Sequence, residues 1–215
     1  MLSSHSAPTR LGQIAVLLSC VLFSIPLLAT TLIGMDIDDV AAKAEIVFEG
    51  EVIQSQAQLD SSSGIINTYI TFRIIDLLKG GFTGDSIELK FTGGELNGEI
   101  VEVSGSILPK LGESGIYFVE STSADMLNPL MGWSQGHFLI KTEGGSRRVH
   151  TVNDNPVTQI QSVSAIPLVI KAPNKLIQDN EGIAAGVTVK SRALTNNQAL
   201  SADDFKRQIL DMLKN

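Results

Sequence analysis

The stretch closest to a catalytic signature is Gly132-Trp133-Ser134-Gln135-Gly136, which fits the G-x-S-x-G pattern. In an α/β-hydrolase that serine sits on a strand-to-helix elbow, and an acid and a histidine follow it in chain order. Here His137–Thr142 alternates apolar and polar residues, which predicts a strand after Ser134. His150 precedes Asp154, and no later histidine exists. A serine hydrolase using Ser134 is therefore the weaker reading, and Gly132 and Gly136 read as turn or bulge residues.

Three histidines occur, at positions 5, 137 and 150. With Gly144-Gly145 at the tip of a hairpin, Leu139 is expected opposite His150 and His137 opposite Val152. Both histidines then share one strand face. Two imidazoles fall short of the three or four ligands that zinc takes, so no metal is expected. The acids Glu95, Glu99 and Glu102 flank glycine-rich turns, but a glycosidase cleft needs aromatic walls and Trp133 is the only tryptophan. "TGGELNGE" lacks the G-K-[ST] of a phosphate loop. Asp36, Asp38 and Asp39 lack the glycine and distant glutamate of an EF-hand. No complete catalytic set emerges, so the chain is read as no enzyme, with no cofactor.

An apolar run from Ile14 to Ile33 follows a polar segment whose one formal charge is Arg10. This is the grammar of a secretory signal peptide over residues 1–29, with an uncleaved N-terminal anchor as the alternative. Pro26 suits the end of such a leader better than the middle of a spanning helix. Cys20, the only cysteine, lies within the apolar run, so a cut near Ala29 leaves a chain without thiols or disulfides. The expected location is the periplasm or the medium, or the inner membrane if the anchor stays. Lys and Arg number 16 against 23 Asp and Glu, for a net charge of −7. That balance, without a basic stripe, excludes nucleic acid as a partner and leaves membrane contact to the leader alone.

About 185 residues after the leader suit one domain with appendages. Asp36 is placed to cap a short helix whose Ile37, Val40, Ala41 and Ala44 share one face. From Glu45 to Val152 the pattern is β, within a domain spanning residues 35–152. Ile46, Phe48 and Val52 alternate with Glu49 and Glu51, and Gly50 interrupts the run as a bulge would. Further strands carry Ile70, Phe72 and Ile74; Ile87, Leu89 and Phe91; Val101 and Val103; Ile116 and Phe118. Five strands parted by glycine-rich turns predict a sandwich or small barrel around one core. Residues 153–199 lose periodicity and read as a loosely ordered linker. Residues 200–215 form an amphipathic helix. Ser201 and Asp204 make an S-x-x-D cap there, and Phe205, Ile209, Met212 and Leu213 make the apolar stripe.

The order "AEIVFEGEVIQ…INTYITFRIIDLLKG…DSIELKFTGG…GEIVEVSG…LGESGIYFVE…WSQGHFLI" resembles a group of exported bacterial proteins. More distantly, it is similar to the netrin-like module of tissue inhibitors of metalloproteinases. The resemblance spans roughly residues 35–141 and rests on fold signals rather than chemistry. It implies a mainly β fold, an OB-like five-stranded antiparallel barrel with a short N-terminal and a C-terminal helix. In that family a terminal cysteine grips the protease zinc; no cysteine follows Cys20, so the role carries over to no residue here. The expected function is an exported non-catalytic binding module for a protein partner, with its contact surface at Asn128, Trp133, Gln135 and His137. An inhibitor or accessory protein of an exported metalloprotease is the alternative.

Overall fold

The computed structural model describes residues 34–163, 182–190 and 199–214. The expected leader, Cys20 included, lies outside them, as does most of the expected linker. Helix α1 (Ile37–Lys43) is followed by strands β1 (Ile46–Leu59), β2 (Ile66–Lys79), β3 (Ser86–Thr92), β4 (Gly94–Leu96), β5 (Glu99–Val101) and β6 (Ser114–Val119). A 3-10 turn (Trp133–Gly136) leads into β7 (His137–Glu143) and β8 (Ser146–Thr151). Strands β9 (Val157–Ile160) and β10 (Val187–Val189) and helix α2 (Ala202–Leu213) complete the described chain. No helix among the described residues is long and apolar enough to cross a membrane.

The protein is mainly β, as expected. Six strands form one antiparallel sheet in the order β3-β2-β1-β6-β7-β8, with β4-β5 and β9-β10 as separate ribbons. The sheet is not closed, and its two ends are capped by other segments instead of by each other. At one end Thr92 N–H of β3 donates to Leu127 O (2.8 Å); at the other Val149 N–H of β8 donates to Leu200 O (3.0 Å). Val101 ends the short ribbon strand β5 and Val103 lies in no strand, so this expected segment adds nothing to the main sheet.

Expectation placed one core inside the sheet, but there are two, one on each face. Ile46, Phe48, Val52, Ile70, Phe72, Leu89, Phe91 and Tyr117 pack together on one side. Val47, Ile116, Phe118, Phe138 and Val149 pack on the other against α1, α2 and the β9-β10 ribbon. The apolar triplet Ile46-Val47-Phe48 carries the physical reason. A strand with apolar residues at successive positions must bury both of its faces. Gly50 marks a register shift against β2. A methyl there would approach Phe48 Cε2 at 2.7 Å, so the missing side chain makes room for the Phe48 ring.

Helix α1 buries Ile37, Val40, Ala41 and Ala44, the face expected of it. Asp36 holds the N-cap position without a side-chain capping bond, and Asp38 accepts from Val163 N–H (2.6 Å). Helix α2 is capped as the S-x-x-D spacing predicted: Ser201 Oγ accepts from Asp204 N–H (3.0 Å) and donates to Asp204 Oδ2 (2.7 Å). Its Phe205 and Ile209 are buried. The reading of 153–199 as a linker fails where β9 and β10 pair and bury Val157, Ile160, Val163 and Ala184. Short β segments separated widely in sequence leave no local period to read.

Candidate functional site

Of the four residues expected to form a contact surface, three are interior: Asn128, Gln135 and His137 are each no more than 1 % exposed. They are staples. Asn128 Oδ1 accepts from Leu130 N–H (2.9 Å), and its amide donates to Ser106 Oγ (3.0 Å). Gln135 Oε1 accepts from Met35 N–H (2.7 Å). Polar groups in a glycine-flanked loop read as exposed, but the loop folds under itself, and its backbone then needs side-chain partners. Trp133 is half-buried and sits at φ 59°, in the left-handed region directly after Gly132.

Ser134 lies in the 3-10 turn, and a strand follows it as expected. A side chain at Gly182 would collide with it. Among the described residues no histidine is hydrogen-bonded to Ser134. The register does place Leu139 opposite His150, but His137 pairs with Tyr117 of β6 rather than with Val152, because β8 ends at Thr151. Each histidine then meets carboxylates of its own. His137 Nε2 lies 2.7 Å from Glu113 Oε1, and His150 lies 3.2 Å from Glu143 Oε1 and 3.3 Å from Asp154 Oδ1. No group of three His, Cys, Asp or Glu side chains among the described residues is arranged to hold a metal ion.

What the structure brings together is a cleft of about 450 Å³ on the β7 face that carries His137, Leu139 and Lys141. The segment Ile107–Ser114 forms its other wall, and Val152 and Asp154 close one end. Two engaged polar pairs sit inside. Glu113 faces His137, and Asp154, turned back by its left-handed φ of 66°, holds Lys141. The carboxylate of Glu113 requires a proton on His137 Nε2, and His137 Nδ1 is buried with no hydrogen-bond partner among the described residues. Lys110 is exposed on the rim and meets no acid among the described residues. Ile107, Leu139, Ile140 and Val152 supply its aliphatic surface beside these polar groups, and the volume falls in the common range of ligand clefts, roughly 300–1,000 Å³.

Behind His137 stands Tyr117, its ring 5.1 Å from the imidazole and its hydroxyl donating to Glu113 Oε1 (3.4 Å). Burial, reinforced by the Glu113 charge, pushes the Tyr117 phenol far above the ordinary tyrosine range. A raised acid contributes stability that is complete below its unfolded value, near 10, and is lost as pH climbs toward the folded value. In a Tyr69→Phe background, which leaves Tyr117 as the one tyrosine, alkaline titration is expected to show phenolate absorbance only together with unfolding. Phenolate appearing near pH 10 in folded protein would mean that the hydroxyl reaches water.

Glu113 and Lys110 escaped sequence reasoning, and Asp154 entered it only as an acid in the wrong order for a serine triad. Each stands in a glycine- or asparagine-bearing turn and gains meaning only from what the fold sets opposite it. No protein-family model matches this chain, and neither the curated proteins nor the solved structures contain a significant match to it.

Proposed function

We propose that this chain is an exported, non-catalytic binding module that holds a protein partner in the cleft between Ile107–Ser114 and β7. One observation carries the reading: a cleft that mixes aliphatic and polar side chains encloses acidic groups already engaged by the protein's own cation and imidazole, Glu113 by His137 and Asp154 by Lys141. Groups tied up in this way orient a ligand and are poor at exchanging protons with it. The leader-like run and the lack of any cysteine beyond it support export. The β3-β2-β1 meander continuing through β6 and β7 supports an opened, OB-like arrangement, in which loops at one end of the strands take the ligand.

Site-directed photo-crosslinking tests it in the producing cells. A benzoylphenylalanine at Lys110 is expected to yield a heavier adduct in the exported fraction, while the same group at Gln58, exposed on the far β1–β2 hairpin, yields none. Equal labelling from both positions, or none from Lys110, would refute a cleft-borne partner.

A further inference from the structure

Strand β7 runs from His137 to Glu143, yet β6 pairs with only its first three residues, ending at Gly115 opposite Leu139. On the other side β8 accompanies it to the end, Glu143 opposite Ser146. The stretch Ile140–Glu143 therefore has one open edge. The direction of its backbone groups follows from β8. Val149 N–H donates to Leu200 O (3.0 Å) and Thr151 N–H to Asn155 O (2.9 Å), both away from β7. Alternation then aims Arg148 and His150 at β7, where Lys141 and Leu139 face them. Phe138, Ile140 and Thr142 point the opposite way. Phe138 meets Ile116 there, but the chain before Ser114 turns aside to β1, with Gly112 N–H on Val52 O (2.8 Å) and Val52 N–H on Glu113 O (2.9 Å). On that side the backbone of Thr142 has no hydrogen bond among the described residues.

The outer edges of the sheet are treated differently. β8 is bridged by Ser201 and Pro156, and the end of β3 by Leu127. The open stretch of β7 instead leads into the cleft, whose lining includes Leu139, Ile140 and Lys141. An unpaired run of N–H and C=O groups is a template for another strand. The neighbouring charge selects among strands. Lys141 is already held by Asp154, whereas Lys110 on the facing wall meets no acid among the described residues, in a chain with an acidic excess.

We infer that the partner enters as an extended peptide segment that adds a strand to β7 along Ile140–Glu143, continuing the line of β6 and setting an acidic side chain against Lys110. This rests on reading the cleft as the binding site. Main-chain hydrogen bonds supply the grip, and alternate side chains supply the selection.

The test starts from unstructured 12-residue peptides displayed on phage and selected against the exported chain. The recovered sequence is then synthesised with single N-methyl groups moved along its backbone, and its affinity is read by fluorescence anisotropy. Strand addition predicts a period of two: methylation at every second residue weakens binding at least tenfold, and the residues between tolerate it. Selected peptides should carry an acidic residue whose benefit disappears in Lys110→Ala. Thr142→Pro, which removes an N–H that bonds nothing among the described residues, should weaken binding by a similar factor with an unchanged circular dichroism spectrum. Peptides that lose affinity in Lys110→Ala but show no two-residue period would end strand addition and leave the cleft reading intact. Recovery of no peptide, or a β7-mediated dimer in light scattering that excludes peptide, would also overturn the inference, while the crosslinking from position 110 judges the cleft separately.

Discussion

Lys206→Ala is expected to lower the unfolding free energy by about 3 kcal/mol, the scale for breaking a buried ion pair by removing one partner. Glu49 projects from β1 into the core packed by the helices and is only 1 % exposed. Arg147 of β8 binds one of its carboxylate oxygens, and Lys206 Nζ of α2 lies 2.8 Å from the other, reaching Asp76 Oδ2 at 2.9 Å as well. Without Lys206, half of a desolvated carboxylate loses its counter-charge. Adding Glu49→Leu should recover part of the loss, because it removes the stranded charge itself. Urea unfolding with an unchanged slope is the measurement. A loss within about 0.5 kcal/mol, the size of an ordinary surface change, would show that water reaches Glu49. Burial alone would push the Lys206 ammonium down, but its hydrogen bonds and charge contacts with Asp76 and Glu49 outweigh that and hold it above the ordinary lysine value. A raised cation keeps its contribution in full below the unfolded value and loses it as pH rises through the folded one. The latch is therefore expected to persist across neutral pH and to weaken only in strong alkali.

Phe205→Ala is expected to cost about 3–5 kcal/mol, the usual price of emptying a buried phenylalanine site. The Phe205 ring is fully buried, with its centroid 4.9 Å from that of Phe138, which in turn lies 5.9 Å from Phe118. The stack thus runs from α2 through β7 to β6. A domain of this size is stable by roughly 5–15 kcal/mol, so the loss takes a large share of the total. Phe205 and Lys206 are adjacent, so the double variant should lose less or more than the sum of the two singles, in contrast to a distant control pair. Stability within about 1 kcal/mol of the parent would mean that α2 is not docked on this face.

Much of the fold was legible because short-range rules decided it. Ile70 and Phe72, or Leu89 and Phe91, fall at the period of two that a pleated strand demands, and both pairs are buried. Gly144 and Gly145 both take positive φ in the tight turn their pairing announced, and this sets Leu139 opposite His150. Ser201 and Asp204 cap α2 because the bond between them spans only three residues. The site was not legible in this way. Asn128, Gln135 and His137 carried the polarity of a surface, and the fold used that polarity to satisfy a buried loop.

The chain by itself settled where strands alternate, where turns fall, how α2 begins, and that an acidic protein carries its single cysteine, Cys20, in an apolar run with no cysteine after it. Only the tertiary structure decided that the sheet would be buried on both faces, that Glu49 would be trapped with Arg147 and Lys206, and that β6 would stop short and leave one edge of β7 open past Leu139. The physical reason is range. A turn or a cap is set by neighbours a few residues away, whereas burial, counter-charge and an open edge depend on segments such as 107–114, 137–143 and 202–213, which meet only once the chain has folded.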